Sequence, residues 1–349
     1  MNPIPSAKFN LPIHHHSGEW PKIPELWSYS TLKEVENCTR LYSLKRATYP
    51  KIWNRKGYPE LLWPKTVYGN VIHKCLEEIQ NTINATPHEL SHAERLVSAL
   101  RTLGGHLAIL NRFTESELSS LEENPRSESL IPDLRLSLQQ KQNEMRLDLQ
   151  IRISKIPAHR VPEVAGSSRD TNRSQNNQGL WPASHPEVWL KSSDLRFLGQ
   201  VDLLTIKNGE CEILDYKTGR PKPEHKQQLE LYALLWARDI ENNPRKIPIK
   251  QLSIQYTDTA ETHDPPSSGD LDQLESALQK RISLADNALK KKLPLASPSE
   301  NCRLCPVRHL CDEYWQSEFS HPQMKPVFSD IQLTVNEECG PRSWHATSN

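Results

Sequence analysis

Asp202, Asp215 and Lys217 are spaced so that a single tight turn would bring them together. They belong to the run Gly199-Gln-Val-Asp202-Leu-Leu-Thr-Ile-Lys-Asn208-Gly209-Glu-Cys-Glu-Ile-Leu-Asp215-Tyr-Lys217. Asn-Gly between two strand-like runs is the strongest short-range hairpin signal. With Asn208 and Gly209 as the turn residues, Lys207 pairs with Glu210 and Asp202 stands opposite Asp215. Cross-strand partners hold their Cβ atoms about 5 Å apart, and like charges there repel. A divalent cation between the carboxylates offsets that repulsion, and hard oxygen ligands suit Mg²⁺ or Mn²⁺. Lys217, two residues past Asp215, emerges on the same strand face, and Tyr216 points the other way. Such a cation polarises a phosphoryl oxygen and lowers the pKa of bound water. A lysine beside it orients that water or stabilises charge developing on phosphorus. The alternative is a solvated edge hairpin, against which the apolar run around Asp202 argues.

Cys302-Arg-Leu-Cys305-Pro-Val-Arg-His-Leu-Cys311 supplies three more metal-ligating side chains, and Cys38 can supply a fourth. Read from spacing alone, structural Zn²⁺ is the leading occupant, and a [4Fe-4S] cluster uses the same ligands. His309 is the substitute if Cys38 is not a ligand. Cys75 and Cys211 fall within expected packed elements and read as core thiols, whereas Cys339 has no assignment. The N-terminus lacks the basic-then-apolar order of a signal peptide, and no run of about 18 apolar residues is present. The expectation is a cytoplasmic protein that neither spans a membrane nor uses its cysteines as disulfides.

These residues need a framework. The chain has 349 residues, no net charge, 36% hydrophobic residues, and 27 prolines against 12 glycines. Zero net charge removes the easy argument for a histone-like DNA coat, so any nucleic-acid contact must come from a local patch. Residues 1–26 read as a Pro-punctuated arm. A helix begins near Ser28 to Ser30, with Ser30 as its N-cap, and another follows Pro64. The stretch 88–112 is helical with a weak point at Gly104-Gly105, and 114–155 is helical in pieces. Residues 158–186 read as a flexible segment. Strands are expected at Val188–Leu190, Leu195–Ile206, Cys211–Tyr216 and Gln251–Tyr256, with helices at 224–240 and 270–291. The order of helices, three strands, helix, strand and helix suits an α/β or α+β core: a mixed sheet with helices packed against it. Between Lys33 and Lys56, Arg40, Lys45, Arg46, Lys51 and Arg55 alternate with Tyr42, Tyr49 and Trp53. This is either a platform for single strands or an ordinary helix with a solvated face.

At the aspartate hairpin the sequence resembles the PD-(D/E)XK nuclease superfamily, in its RecB-like branch. Asp202 matches the first metal-binding acid, and Asp215-Tyr216-Lys217 matches the D-x-K element. Gly69-Asn-Val-Ile-His73 resembles the family's G-x-x-x-H helix, whose histidine binds metal. Gln228-Leu-Glu-Leu-Tyr232 resembles its Q-x-x-x-Y helix, which helps to hold DNA. Glu187 resembles an upstream acid, more weakly. Singly, His73 reads as a core histidine and Gln228 with Tyr232 as an amphipathic helix; the ordered set carries the resemblance. Gly69 shares a helix face with His73 and would allow close packing that brings the imidazole to the sheet.

The resemblance implies a restriction-endonuclease-like core over residues 27–317, with a helical insertion over about 88–186 and a tail, 318–349, of no assigned role. Iron–sulfur members of that branch place one cysteine before the core and three after it. By that likeness Cys38, Cys302, Cys305 and Cys311 hold a [4Fe-4S] cluster that clasps the N- and C-terminal parts. The implied activity is a divalent-metal-dependent deoxyribonuclease, an exonuclease acting on single-stranded DNA ends in repair, recombination or defence. The P-loop motif of a helicase is absent, so unwinding would need a helicase or other nuclease-complex partner. The alternatives are a catalytically weak iron–sulfur DNA-binding subunit and a zinc-stabilised interaction protein.

Overall fold

The computed structural model describes residues 19–54, 57–87, 89–156, 179–317, 330–331, 333–340 and 343–348. Helices α1 (Tyr29–Asn37), α2 (Thr39–Arg46), α3 (Pro64–Ala85), α4 (His92–Thr102), α5 (His106–Ser119), α6 (Ile131–Gln140) and α7 (Gln142–Ser154) come first. Strands β1 (Ser184–Ser192), β2 (Phe197–Lys207) and β3 (Glu210–Tyr216) follow, then α8 (Pro223–Arg238), β4 (Ile249–Gln255), β5 (Ala260–His263) and α9 (Ser268–Leu289). The short α10 (Asp312–Trp315) precedes a hairpin of β6 (Leu333–Gly340) and β7 (Ser343–Ser348). The described residues divide into two compact units. One draws on the described residues of 23–33 and 60–287, the other on those of 19–22, 34–59 and 288–348.

In the first unit five strands lie in the order β1-β2-β3-β4-β5. All neighbours are antiparallel except β3 and β4. A parallel pair needs a crossover, and α8 supplies it. This is the mixed sheet flanked by helices that the sequence predicts. The short β5 was not expected: Ala260–His263 has no apolar alternation, and it forms by pairing with β4. Helix α3 starts with proline at its first position, where the missing N–H costs nothing. Its Val67, Val71, Ile72, Cys75 and Ile79 are buried against α5, α6 and α7 and against Leu203 and Tyr216 of the sheet. The cap of α1 is Ser28 and not Ser30, since the Thr31 N–H donates to Ser28 Oγ at 3.3 Å. The expected flexible segment lies outside the described residues over 157–178, but its end is ordered, because Ser184–Pro186 begins β1.

In the second unit residues 34–59 pack with residues beyond 288. Arg40 is buried, donating Nε to the Pro294 carbonyl at 2.8 Å and Nη2 to Glu313 at 2.7 Å. Part of the basic-aromatic segment is packed away. Tyr42 and Tyr49 are buried, and Lys45 and Arg46 both pair with Glu34, at 2.7 and 2.5 Å. Rings already enclosed cannot stack on bases, which removes the platform reading for those two tyrosines. Arg55 and Lys56 lie outside the described residues. The tail, given no role by its sequence, contains the β6–β7 hairpin. Among the described residues no helix is long and apolar enough to cross a membrane.

Candidate active site

The turn forms as its sequence dictates. Asn208 and Gly209 take φ of 54° and 79°, the left-handed pair that a two-residue hairpin turn requires. Pairing runs from Lys207–Glu210 to Leu203–Leu214, and one step further the same register sets Asp202 opposite Asp215. On the other side of β2, Pro186 pairs with Leu203 and Val188 with Val201. That register carries Glu187 opposite Asp202. Three carboxylates thus occupy one row across three adjacent strands. Glu187 has φ of 51°, a left-handed backbone costing a non-glycine residue roughly 1–2 kcal/mol. Such strain collects at functional sites.

Helix α3 brings His73 to this row. Its Nδ1 lies 3.4 Å from Asp202 Oδ1 and 3.7 Å from Glu187 Oε1. One ligand atom from each of His73, Glu187 and Asp202 lies within 4.8 Å of the others. Asp202 Oδ2 accepts the Tyr216 N–H at 2.5 Å, and the Tyr216 ring stands edge-on to His73, centroids 6.3 Å apart. Asp215 is 2% exposed. The Lys217 ammonium forms an ion pair with its Oδ2 at 2.6 Å.

The charges explain one another. Burial works against a protonated His73, but the Asp202 and Glu187 carboxylates outweigh it and hold its pKa at about 10. Burial likewise opposes the Asp202 anion, and the imidazolium overcomes it, leaving that pKa below the ordinary carboxylate value. Asp215 is pushed up to about 7 by burial and by the Asp202 charge, against the pull of Lys217. Glu187 is raised, chiefly by burial. A row of acids whose central member holds its charge against the others is short of positive charge. The buried Asp215 carboxylate and the donor set of carboxylates with one imidazole fit a hard divalent cation.

Lys217 is held from its far side as well. Its Nζ donates to Gln228 Oε1 at 3.1 Å, and Gln228 Nε2 donates to the Tyr232 hydroxyl at 2.6 Å. Gln228 is half-buried and Tyr232 fully buried beside Gly199, where an added Cβ would sit 2.7 Å from the ring. The close approach is therefore at Gly199. At Gly69, contrary to expectation, a Cβ would meet Thr218 at an ordinary 3.6 Å. Glu187, the weakest of the sequence matches, lies with His73 and Asp202 in the structure, on a left-handed backbone that its sequence does not announce.

Cys38, Cys302, Cys305 and Cys311 line one cavity of about 210 Å³ in the other unit. Cys38 caps α2, its Sγ accepting the Leu41 N–H at 3.4 Å. No three of the four bring their sulfurs within 4.8 Å of one another. His309 does not join them, its Nε2 lying 2.8 Å from the Tyr58 hydroxyl.

No curated protein matches the chain. One solved structure, the crystal structure of SSO0001, is similar at 17% identity over 38% of this chain and 61% of its own length. Its TM-score of 0.24 is too low to bear on the fold. A model of the PD-(D/E)XK nuclease superfamily matches residues 26–312, a span that holds the acidic row, His73, Lys217 and the four cysteines. On that match, with the mixed sheet and the aspartate hairpin, the chain belongs to the PD-(D/E)XK nuclease superfamily.

Proposed function

We propose that the protein is a divalent-metal-dependent deoxyribonuclease of the RecB-like kind, hydrolysing phosphodiester bonds at single-stranded DNA ends. The observation that carries this reading is the row of Glu187, Asp202 and Asp215 with His73 at one end and Lys217 at the other. His73, Asp202 and Asp215 would hold the cation, with Glu187 as a further ligand. A bound Mg²⁺ or Mn²⁺ supplies Lewis-acid polarisation of the scissile phosphate. Lys217, steadied between Asp215 and Gln228, is a charged donor for the attacking water or for the developing negative charge. Gln228 would position the strand, with buried Tyr232 fixing its amide. Asp215 and Lys217 are both present, which separates this reading from that of a catalytically weak DNA-binding subunit.

The four-cysteine cavity supports a [4Fe-4S] cluster as a structural clasp. Tetrahedral zinc with Zn–S of about 2.3 Å needs four sulfurs mutually about 3.8 Å apart, closer than any three of these thiols come together. Repair, recombination or defence, with a helicase or other nuclease-complex partner, is the setting that the RecB-like resemblance suggests. Incubation of end-labelled linear and covalently circular single strands with Mn²⁺ tests the mode. Linear strands should be degraded and circles spared; equal loss of circles would make it an endonuclease.

A further inference from the structure

A second buried charge lies behind the acidic row. Arg152, in the last turn of α7, is 0% exposed. Its Nε donates to Asp148 Oδ1 at 2.7 Å, one turn back on the same helix. Nη2 donates to the Lys217 carbonyl and to Thr257 Oγ1, both at 3.1 Å, and Nη1 reaches the Gln255 carbonyl at 3.4 Å. The guanidinium lies 5.7 Å from the Tyr216 ring centroid. Asp148 Oδ2 in turn accepts from the Tyr68 hydroxyl of α3 at 3.1 Å.

Stability does not account for this arrangement, since a buried ion pair is often replaceable by apolar residues at no loss. Its effect is on geometry. The Lys217 N–H donates to the Gln255 carbonyl at 2.9 Å, so the backbone of Lys217 is tied to β4 on one side and to Arg152 on the other. The guanidinium is a rigid, planar fork, able to hold several acceptors in fixed directions. A lysine there would offer only a single flexible ammonium.

We propose that Arg152 is a positioning residue for the acidic site: through the Lys217 carbonyl it fixes the strand end from which Asp215 and Lys217 project. The helical layer before β1 is then part of the active-site framework. A shift of that strand end would carry Lys217 Nζ away from both Asp215, at 2.6 Å, and Gln228, at 3.1 Å. The inference rests on the nuclease reading for its consequence, but not for its geometry.

Two variants test it. Arg152→Lys keeps the charge and loses the fork. Arg152→Met with Asp148→Leu removes both charges at similar volume, should the lysine variant not fold. The control is Leu138→Ala, which opens a cavity in α6 of the same helical layer. All are compared below their melting temperatures, by Mn²⁺-dependent cleavage of a single-stranded oligonucleotide and by hydrogen exchange at the Lys217 amide. The positioning role predicts kcat reduced at least about tenfold with KM within about twofold, since small misplacements near the chemistry are costly. The Lys217 amide should exchange at least about tenfold faster, reporting local opening of the strand end. The control should show neither effect. Unchanged Lys217 exchange, or a kcat loss no greater than that of the control, overturns the inference. If the wild type cleaves nothing, the nuclease reading fails, and the exchange result alone decides the role of Arg152.

Discussion

Gly199→Ala is a one-methyl perturbation with a long reach. The new Cβ would lie 2.7 Å from Tyr232 Cε1, 3.1 Å from Cδ1 and 3.3 Å from Leu235 Cδ1. Carbon atoms pack best at about 3.5–4.0 Å, so the ring must retreat by roughly 1 Å. Tyr232 is buried and stiff, and overpacking of this kind costs about 1–3 kcal/mol. The retreat stretches the 2.6 Å bond from Gln228 and, through it, loosens the grip on Lys217. Displacement by about 1 Å near reacting groups can cost about a hundredfold in rate. The assay is the melting temperature together with kcat for single-stranded DNA well below that temperature. Gly209→Ala is the control: it strains a φ of 79° but meets nothing within 4 Å, so it should lower stability and spare kcat. Wild-type kcat in a folded Gly199→Ala protein would refute the chain from Gly199 through Tyr232 and Gln228 to Lys217.

Three further outcomes follow from the same structure. Asp215 titrates at about 7 when folded and near 4 when unfolded, so the metal-free fold loses stability as pH rises between those values. Cation binding needs the deprotonated form, so the rise in melting temperature with Mn²⁺ should be larger at pH 8 than at pH 5.5; calorimetry giving equal shifts would contradict this. Anaerobically purified protein should be brown with about four irons, and Cys38→Ala should bleach it and lower its melting temperature; one zinc and no iron would defeat the cluster assignment alone. Lys45→Glu with Arg46→Glu breaks pairs with Glu34 and should leave the salt dependence of single-strand binding unchanged, whereas a slope reduced by about 1.4 or more would restore the platform.

The hairpin was legible because it is local. Asn208-Gly209 carries its own turn geometry, and register then follows by counting, so Asp202, Asp215 and Lys217 could be set together before any fold was known. The mixed sheet followed from element order. What stayed hidden depends on distant partners. Glu187 joins the row through the pairing of β1 with β2, and nothing in His-Pro-Glu-Val announces that partner or its left-handed φ. Arg152 reads as one more charged helix residue until its guanidinium is seen to meet the Gln255 and Lys217 carbonyls at the ends of β4 and β3. Tyr42 and Tyr49 look available for stacking until residues 34–59 have closed over them. Ser28 and Ser30 are both plausible caps, and only the direction of the Thr31 N–H separates them.

The most direct measurement is cleavage of a 5′-labelled single-stranded DNA by wild type and by Asp202→Ala, each with Mn²⁺ and with a chelator, alongside calorimetric titration of Mn²⁺ into both proteins. The wild type should cleave with Mn²⁺ and not with the chelator, and removal of Asp202, the central acid of the row, should abolish both activity and Mn²⁺ binding. Cleavage by Asp202→Ala at the wild-type rate, or by the wild type in chelator, would place the chemistry elsewhere.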